Sequence, residues 1–81
     1  METRYADRDL LTLTEILRRL LNRTQISADE DIHEAGLTSI MVLPLLAELE
    51  EAFQVTIPDD EFLDARTPSA LAQLINRIRA N

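Results

Sequence analysis

The sequence contains no cysteine. Disulfides, thiolate-rich metal sites and a cysteine nucleophile are excluded at once. Glycine occurs once, at Gly36. No apolar run approaches the ~20 residues that a membrane-spanning helix needs. The segment from Met1 to Asp9 is polar and mixed in charge, unlike a secretory signal. These absences lead to the expectation of a soluble, cytoplasmic protein. With 81 residues the chain is long enough for one domain, residues 1–81, with its core over about 7–80. A chain of this size buries only about 60–65% of its unfolded surface. A deep catalytic pocket would be hard to fit, so a binding or carrying role is favoured over enzymatic chemistry.

Positive charge is missing from the middle of the chain. The net charge is −7, and residues 24–65 carry eleven acids, from Asp29 to Asp64, with no lysine or arginine. The arginines stand at the two ends: Arg4, Arg8, Arg18, Arg19 and Arg23, then Arg66, Arg77 and Arg79. A single-sign acidic region repels nucleic acid and anionic membrane and steers basic protein surfaces toward it.

The apolar spacing predicts four helices. Leu10, Leu13, Ile16, Leu17, Leu20 and Leu21 form one face of a helix over about 7–23, with arginines toward its C-terminal end. Residues 22–36 read as a long connection rich in turn formers, with Ile26 and Ile32 tacking it to the core and Gly36 marking a tight backbone position. A second helix starts at Thr38 or Ser39 and ends near Phe53. It is apolar on too many sides for a simple surface helix, so its first turns expose apolar surface or are buried all round. Pro44 lies inside it and should bend it. Its acids, Glu48, Glu50 and Glu51, crowd the C-terminal half, where the helix dipole disfavours them. After an extended Val55 and Thr56, Ile57 to Leu63 reads as a short helix with Pro58 in its first turn. Thr67 caps a last helix that opens on Pro68 and buries Leu71, Leu74, Ile75 and Ile78. Phe53 and Phe62 are expected in the core. The fold class is all-α: a small bundle of three longer helices and one short one.

The best candidate for chemistry is the run Glu34-Ala35-Gly36-Leu37-Thr38-Ser39-Ile40. It places a hydroxyl at a loop-to-helix junction, where backbone donors and the positive end of the helix dipole can hold a phosphate. Most serines in such positions are only N-caps.

The wider pattern is more specific. Gly36-Leu37-Thr38-Ser39-Ile40 resembles the Gly-Leu-Asp-Ser-Leu motif of acyl carrier proteins and related phosphopantetheine-binding carrier domains. Glu48-Leu49-Glu50-Glu51-Ala52-Phe53, Val55, Ile57-Pro58-Asp59-Asp60 and Thr67-Pro68 resemble, in order, that family's end of helix two, its Ile-Pro-Asp turn and the start of its last helix. The resemblance spans about residues 10–80. It implies a bundle of acyl-carrier-protein type and a free-standing carrier, not an enzyme. The family's attachment serine for a 4'-phosphopantetheine arm falls on Ser39, flanked by Thr38 and by Ile40, which is expected to anchor the helix start. A phosphopantetheinyl transferase using coenzyme A and magnesium would install the arm. Its thiol would hold an acyl or aminoacyl cargo as a thioester, the thiol that a cysteine-free chain must borrow. The resemblance implies further partners: a loading ligase and a downstream transferase or synthase. Glu50, Glu51 and Asp59, with Met41, are the residues expected to meet them. A shuttle of this kind is expected to be a monomer, with no nucleic acid, membrane or metal partner.

Two departures stand out. The family's aspartate before the serine is Thr38 here, which implies a more selective transferase. Met41 and Pro44 stand where exposed polar residues are usual, which implies a specialised carrier, dedicated amino-acid carriers being one such class.

Other constellations fail. Asp29-x-Asp31-x-His33 has no glycine where a calcium loop turns and Ile40 where its last ligand should be. His33, six residues before Ser39, would suggest a hydrolase, but no nucleophile turn surrounds the serine. His33 is expected to be an exposed loop residue. The competing function is an unmodified helical interaction domain that uses the apolar and acidic surface of the second helix.

Overall fold

The computed structural model describes residues 3–80, with side chains from Arg8 onward. Four helices follow one another: α1 (Thr3–Leu21), α2 (Ser39–Phe53), α3 (Asp59–Asp64) and α4 (Pro68–Ala80). No strand occurs among the described residues. α1 packs against both α4 and α2, and α3 against α4.

The expected stripes face the core, with Leu10, Leu20 and Ile78 only half-buried at its edge. Leu13 and Leu17 of α1, Leu45 and Leu49 of α2, Phe62 of α3, and Leu71 and Ile75 of α4 are fully enclosed. Each such side chain contributes about 1.5–3 kcal/mol relative to exposure. Phe53 and Phe62 are both core residues, as expected. Ile26, Ile32 and Leu37 of the α1–α2 connection are buried in the same cluster. The loop is therefore anchored at three points along its length.

Helix boundaries follow local chemistry. α1 begins at Thr3, before the predicted Asp7, and ends at Leu21 instead of Arg23. It stops because Asn22 turns left-handed (φ 57°) and the Arg23 and Asn22 N–H groups donate back to the Arg18 and Arg19 carbonyls at 2.9 and 3.3 Å. This is a Schellman closure. α2 ends the same way, with Gln54 at φ 57° and the Val55 N–H donating to the Glu50 carbonyl at 3.1 Å. α3 is shorter than predicted, with Pro58 just outside it in the capping position and Asp59, Asp60 and Glu61 in its first turn. α4 opens on Pro68, and the Thr67 hydroxyl accepts the Ala70 N–H at 3.1 Å. α2 runs through Pro44 unbroken, with the proline ring exposed.

Two long-range ties close the bundle. Arg79 of α4 donates to the buried carboxylate of Asp9 in α1 at 3.0 Å and lies over the Phe53 ring at 5.7 Å. The Ile32 N–H donates to the Arg66 carbonyl at 2.8 Å, and the Ser69 N–H to the Ala28 carbonyl at 3.0 Å. The α3–α4 corner is thereby stitched to the α1–α2 loop.

Candidate functional site

The approach to Ser39 is built by one closed turn. Asp31 starts it: its Oδ1 accepts the His33 N–H at 2.8 Å and the Glu34 N–H at 3.3 Å. The Leu37 N–H then donates to the Ile32 carbonyl at 3.0 Å, and the Gly36 N–H to the His33 carbonyl at 3.4 Å. Gly36 makes that closure possible with φ 128°, a conformation that side-chain-bearing residues rarely adopt. Leu37 drops into the core directly after it, and α2 begins two residues later.

Two arginines from the chain's ends strap this turn down. Arg23 donates to the Glu30 carboxylate at 2.9 Å and to the Ala35 carbonyl at 3.1 Å. Arg66 donates to both oxygens of Asp31, at 2.9 and 3.4 Å. The electrostatics follow. Hydrogen bonds from Arg23 and the Ser27 N–H hold the Glu30 carboxyl below its ordinary value. Desolvation pushes the Asp31 carboxyl up, but the Arg66 guanidinium and the Glu34 and His33 N–H groups outweigh it and hold that carboxyl low.

Ser39 is the first residue of α2, exposed, and its hydroxyl makes no hydrogen bond among the described residues. Thr38 occupies the N-cap with extended backbone (φ −112°, ψ 167°), yet its side chain caps nothing. The first turn of α2 also holds no acid. By contrast α3 opens on three acids and α4 on a hydroxyl cap. The positive end of α2 is left uncompensated, with solvent-facing Gly36, Thr38, Ser39 and Ile40 around it. A phosphodiester on the Ser39 oxygen fits such a place in both charge and space.

Ile40 does not anchor the helix start. It is 85% exposed, because the helix phase points it away from the buried stripe of Leu45, Leu46, Leu49 and Phe53. One turn further, Leu43 is 72% exposed. Met41 and Val42 are half-buried against the core. Between α2 and α3 lies a small hollow of about 90 Å³ lined by Val42, Leu43, Leu46, Asp59, Phe62 and Leu63. A larger, open groove between α1 and α2 runs past Leu11, Ile16, Arg19, Glu48 and Glu51, away from Ser39 along α2.

The acids of α2 divide by use. Glu48 accepts from Arg19 at 3.3 Å, and Glu50 Oε2 accepts the Ile57 N–H at 2.8 Å, which fixes the turn into α3. Glu51 is exposed, and its carboxylate has no ion-pair partner among the described residues. Asp59 is likewise exposed, at the rim of the hollow. Sequence reasoning missed Leu43 and Leu63 as exposed apolar residues of that hollow. The phase of the α2 stripe carried the signal for the first.

His33 differs from expectation. It is half-buried, and its Nε2 is enclosed without a hydrogen-bond partner. No side-chain hydrogen bond joins it to Ser39, so the nucleophile–base contact of a hydrolase is missing. Asp31 is engaged by the turn and Arg66, and no cluster of three metal-ligating side chains occurs among the described residues.

Three comparisons bear on this geometry. The family model described as "Phosphopantetheine attachment site" matches residues 12–75. The anthracycline acyl carrier protein DpsG of Streptomyces peucetius is 32% identical, over 93% of this chain and 96% of that protein. The anthracycline acyl carrier protein DauA of Streptomyces sp. (strain C5) matches with the same figures. Among solved structures, BlmI, a type-II acyl carrier protein from Streptomyces verticillus involved in bleomycin biosynthesis, superposes with a TM-score of 0.88. That match has 18% identity and covers 94% of this chain and 92% of BlmI, a likeness of fold.

Proposed function

The chain belongs to the phosphopantetheine-binding acyl carrier protein family, and from that premise we propose that its arm is attached at Ser39 and carries an acyl cargo. The protein is a carrier, not an enzyme, and its cofactor is covalent 4'-phosphopantetheine. The arm supplies the terminal thiol that the cysteine-free chain does not. Biosynthetic enzymes and a phosphopantetheinyl transferase are its partners.

The observation that carries the assignment to Ser39 is the uncapped, acid-free start of α2 with an exposed, unbonded serine at its first position. The side chains around it have distinct duties. Gly36 and Leu37 deliver the chain to the helix start. Thr38, with a free hydroxyl beside the phosphate position, stands in for the family's aspartate. Ile40 faces solvent next to the arm. Ser39 supplies the oxygen that becomes the ester.

An acyl cargo is favoured over an aminoacyl one by the two curated relatives, both anthracycline acyl carrier proteins at 32% identity. Their products are specialised metabolites, which suits the departures at Thr38, Met41 and Pro44. The chain covers 96% of DpsG, which supports action as a separate carrier. Exposed Glu51 and Asp59 would meet basic patches on partner enzymes, with Met41 and Glu50 behind them at the contact. No helix of the described residues is long and apolar enough to cross a membrane. Action as a monomer in the cytoplasm is part of this proposal.

Intact mass tests this reading. Incubation with coenzyme A, magnesium and a broad-specificity phosphopantetheinyl transferase should add one phosphopantetheine, and Ser39→Ala should abolish the gain while keeping its helical circular dichroism. A wild-type protein that several transferases leave unmodified would return the interaction-domain reading.

A further inference from the structure

Among the described side chains of α1, Leu11 is the one large apolar residue left exposed, at 72%. Nothing in the delivery of Ser39 uses it. It lines the open groove between α1 and α2, a space of about 610 Å³ against about 90 Å³ for the hollow between α2 and α3. Ile16 adds apolar lining from α1, and Ala52 from α2. Leu11, Glu15 and Arg19 recur every four residues and so form one ridge along α1. Glu48, Glu51 and Ala52 stand three or four apart and share a face of α2. A groove between two such ridges has the shape that takes a third, amphipathic helix.

The charge of the groove decides between occupants. Its lining holds three carboxylates, Glu15, Glu48 and Glu51, and one cation, Arg19. Arg19 holds Glu48 at 3.3 Å, and Arg18 holds Glu15 at 2.7 Å. Glu51 is exposed and joins no ion pair among the described residues, so the charge left open is negative. A second copy of the chain would bring the same three carboxylates against these, and like charges oppose such a contact. An apolar side chain flanked by lysine or arginine suits both the apolar lining and the open carboxylate. The position matters as much as the charge. The α2 residues of the groove lie nine to thirteen positions beyond Ser39, about 14–20 Å along the helix. None of its lining comes from α3 or from the α1–α2 loop.

We propose that the α1–α2 groove docks a basic amphipathic helix of a partner protein, which seats an apolar side chain on Leu11 and a lysine or arginine on Glu51. A partner bound there holds the carrier while the start of α2 and all of α3 stay open to an enzyme. Glu51 then serves a different surface from Asp59. The proposal stands on the groove itself and not on Ser39 as the attachment point.

The test titrates the unmodified, isotope-labelled protein with a synthetic helical peptide of leucine and lysine, its leucines on one face, and follows backbone amide shifts. The expected shifts fall on Thr12, Ile16, Glu48 and Ala52, while residues 37–43 and Asp59–Asp64 stay still. The same peptide with glutamate in place of lysine is expected not to bind. Leu11→Ser should weaken binding about tenfold or more, the loss typical of a central anchor. Glu51→Gln should weaken it about threefold at low salt, as an exposed ion pair does. Thr12→Arg, which puts a bulky cation into the groove, should also weaken it, and circular dichroism checks the fold of each variant. Shifts centred on α3 or on the start of α2 overturn the proposal, as do no binding by the lysine peptide, equal binding by the glutamate peptide, or wild-type affinity in folded Leu11→Ser and Thr12→Arg. So does a concentration-dependent dimer in sedimentation that Leu11→Ser abolishes, since the groove would then serve a second copy. The titration needs no arm, so a chain that no transferase modifies fails at the attachment and leaves this result standing.

Discussion

Arg23 bridges the Glu30 carboxylate and the Ala35 carbonyl, at 2.9 and 3.1 Å, so the first residue beyond the turn that ends α1 grips the chain one residue before Gly36. The loop that delivers Ser39 is thus held from the far end of the neighbouring helix. Removing that grip should be felt in stability. Arg23→Met is expected to lower the unfolding midpoint, mainly through the lost hydrogen bond to the Ala35 carbonyl, since solvent screens the exposed pair with Glu30. Urea unfolding followed by circular dichroism measures it. Arg23→Lys should recover less than half, since one ammonium does not span both acceptors in the way a guanidinium fork does. An unchanged midpoint in Arg23→Met would show that the bridge is idle.

Gly36 tests the turn from within. No heavy atom lies within 4 Å of where a Cβ would stand, so Gly36→Ala meets no steric obstacle beyond the backbone itself. Its φ of 128° is strained for alanine. The expected loss is about 1–3 kcal/mol by urea unfolding. A neutral substitution would mean that the turn relaxes freely.

Pro44 works against its helix. It cannot donate to the Ile40 carbonyl, and an interior proline costs up to about 3 kcal/mol relative to alanine. Its ring is exposed, so little packing is lost with it. Pro44→Ala is therefore expected to raise the urea midpoint. A lower midpoint would show that the proline ring packs usefully.

Acid should loosen the loop. Asp31 and Glu30 are both held below their ordinary values of 3.8 and 4.5. The stability they add is present above those ordinary values and is lost as pH falls through the depressed ones. Both groups are accessible to solvent, so the effect is modest. The wild-type midpoint should fall as pH drops below 4.5, and the fall should be shallower in an Asp31→Asn, Glu30→Gln variant. Parallel curves for the two proteins would place the acid sensitivity elsewhere.

The helices were legible where apolar periodicity and caps agree. Thr67-Pro68 marked the start of α4 to the residue, and the stripes of α1 and α4 named their own core. The first turn of α1 was not legible, because Thr3 to Ala6 carry no apolar repeat to extend it. Ile40 was misplaced by reading apolar as buried. At about 100° per residue it stands roughly 180° from Leu49, so the phase of the stripe argued for exposure. The bond from the Ile57 N–H to Glu50 joins residues across a chain reversal, and no period reports such a contact. Its trace in the sequence was a carboxylate in the half of the helix where the dipole disfavours it. The place of Ser39 at the start of α2 was legible through the order of motifs around it. The straps from Arg23 and Arg66 were not, because an arginine's partner is set by the tertiary fold.

The most direct measurement is fragmentation mass spectrometry of the transferase-treated protein, which locates the added group to a residue. The arm is expected on Ser39 and nowhere else. An arm on Thr38, or on a hydroxyl elsewhere in the chain, or one that persists in Ser39→Ala, would contradict the assignment of the exposed start of α2 as the attachment site.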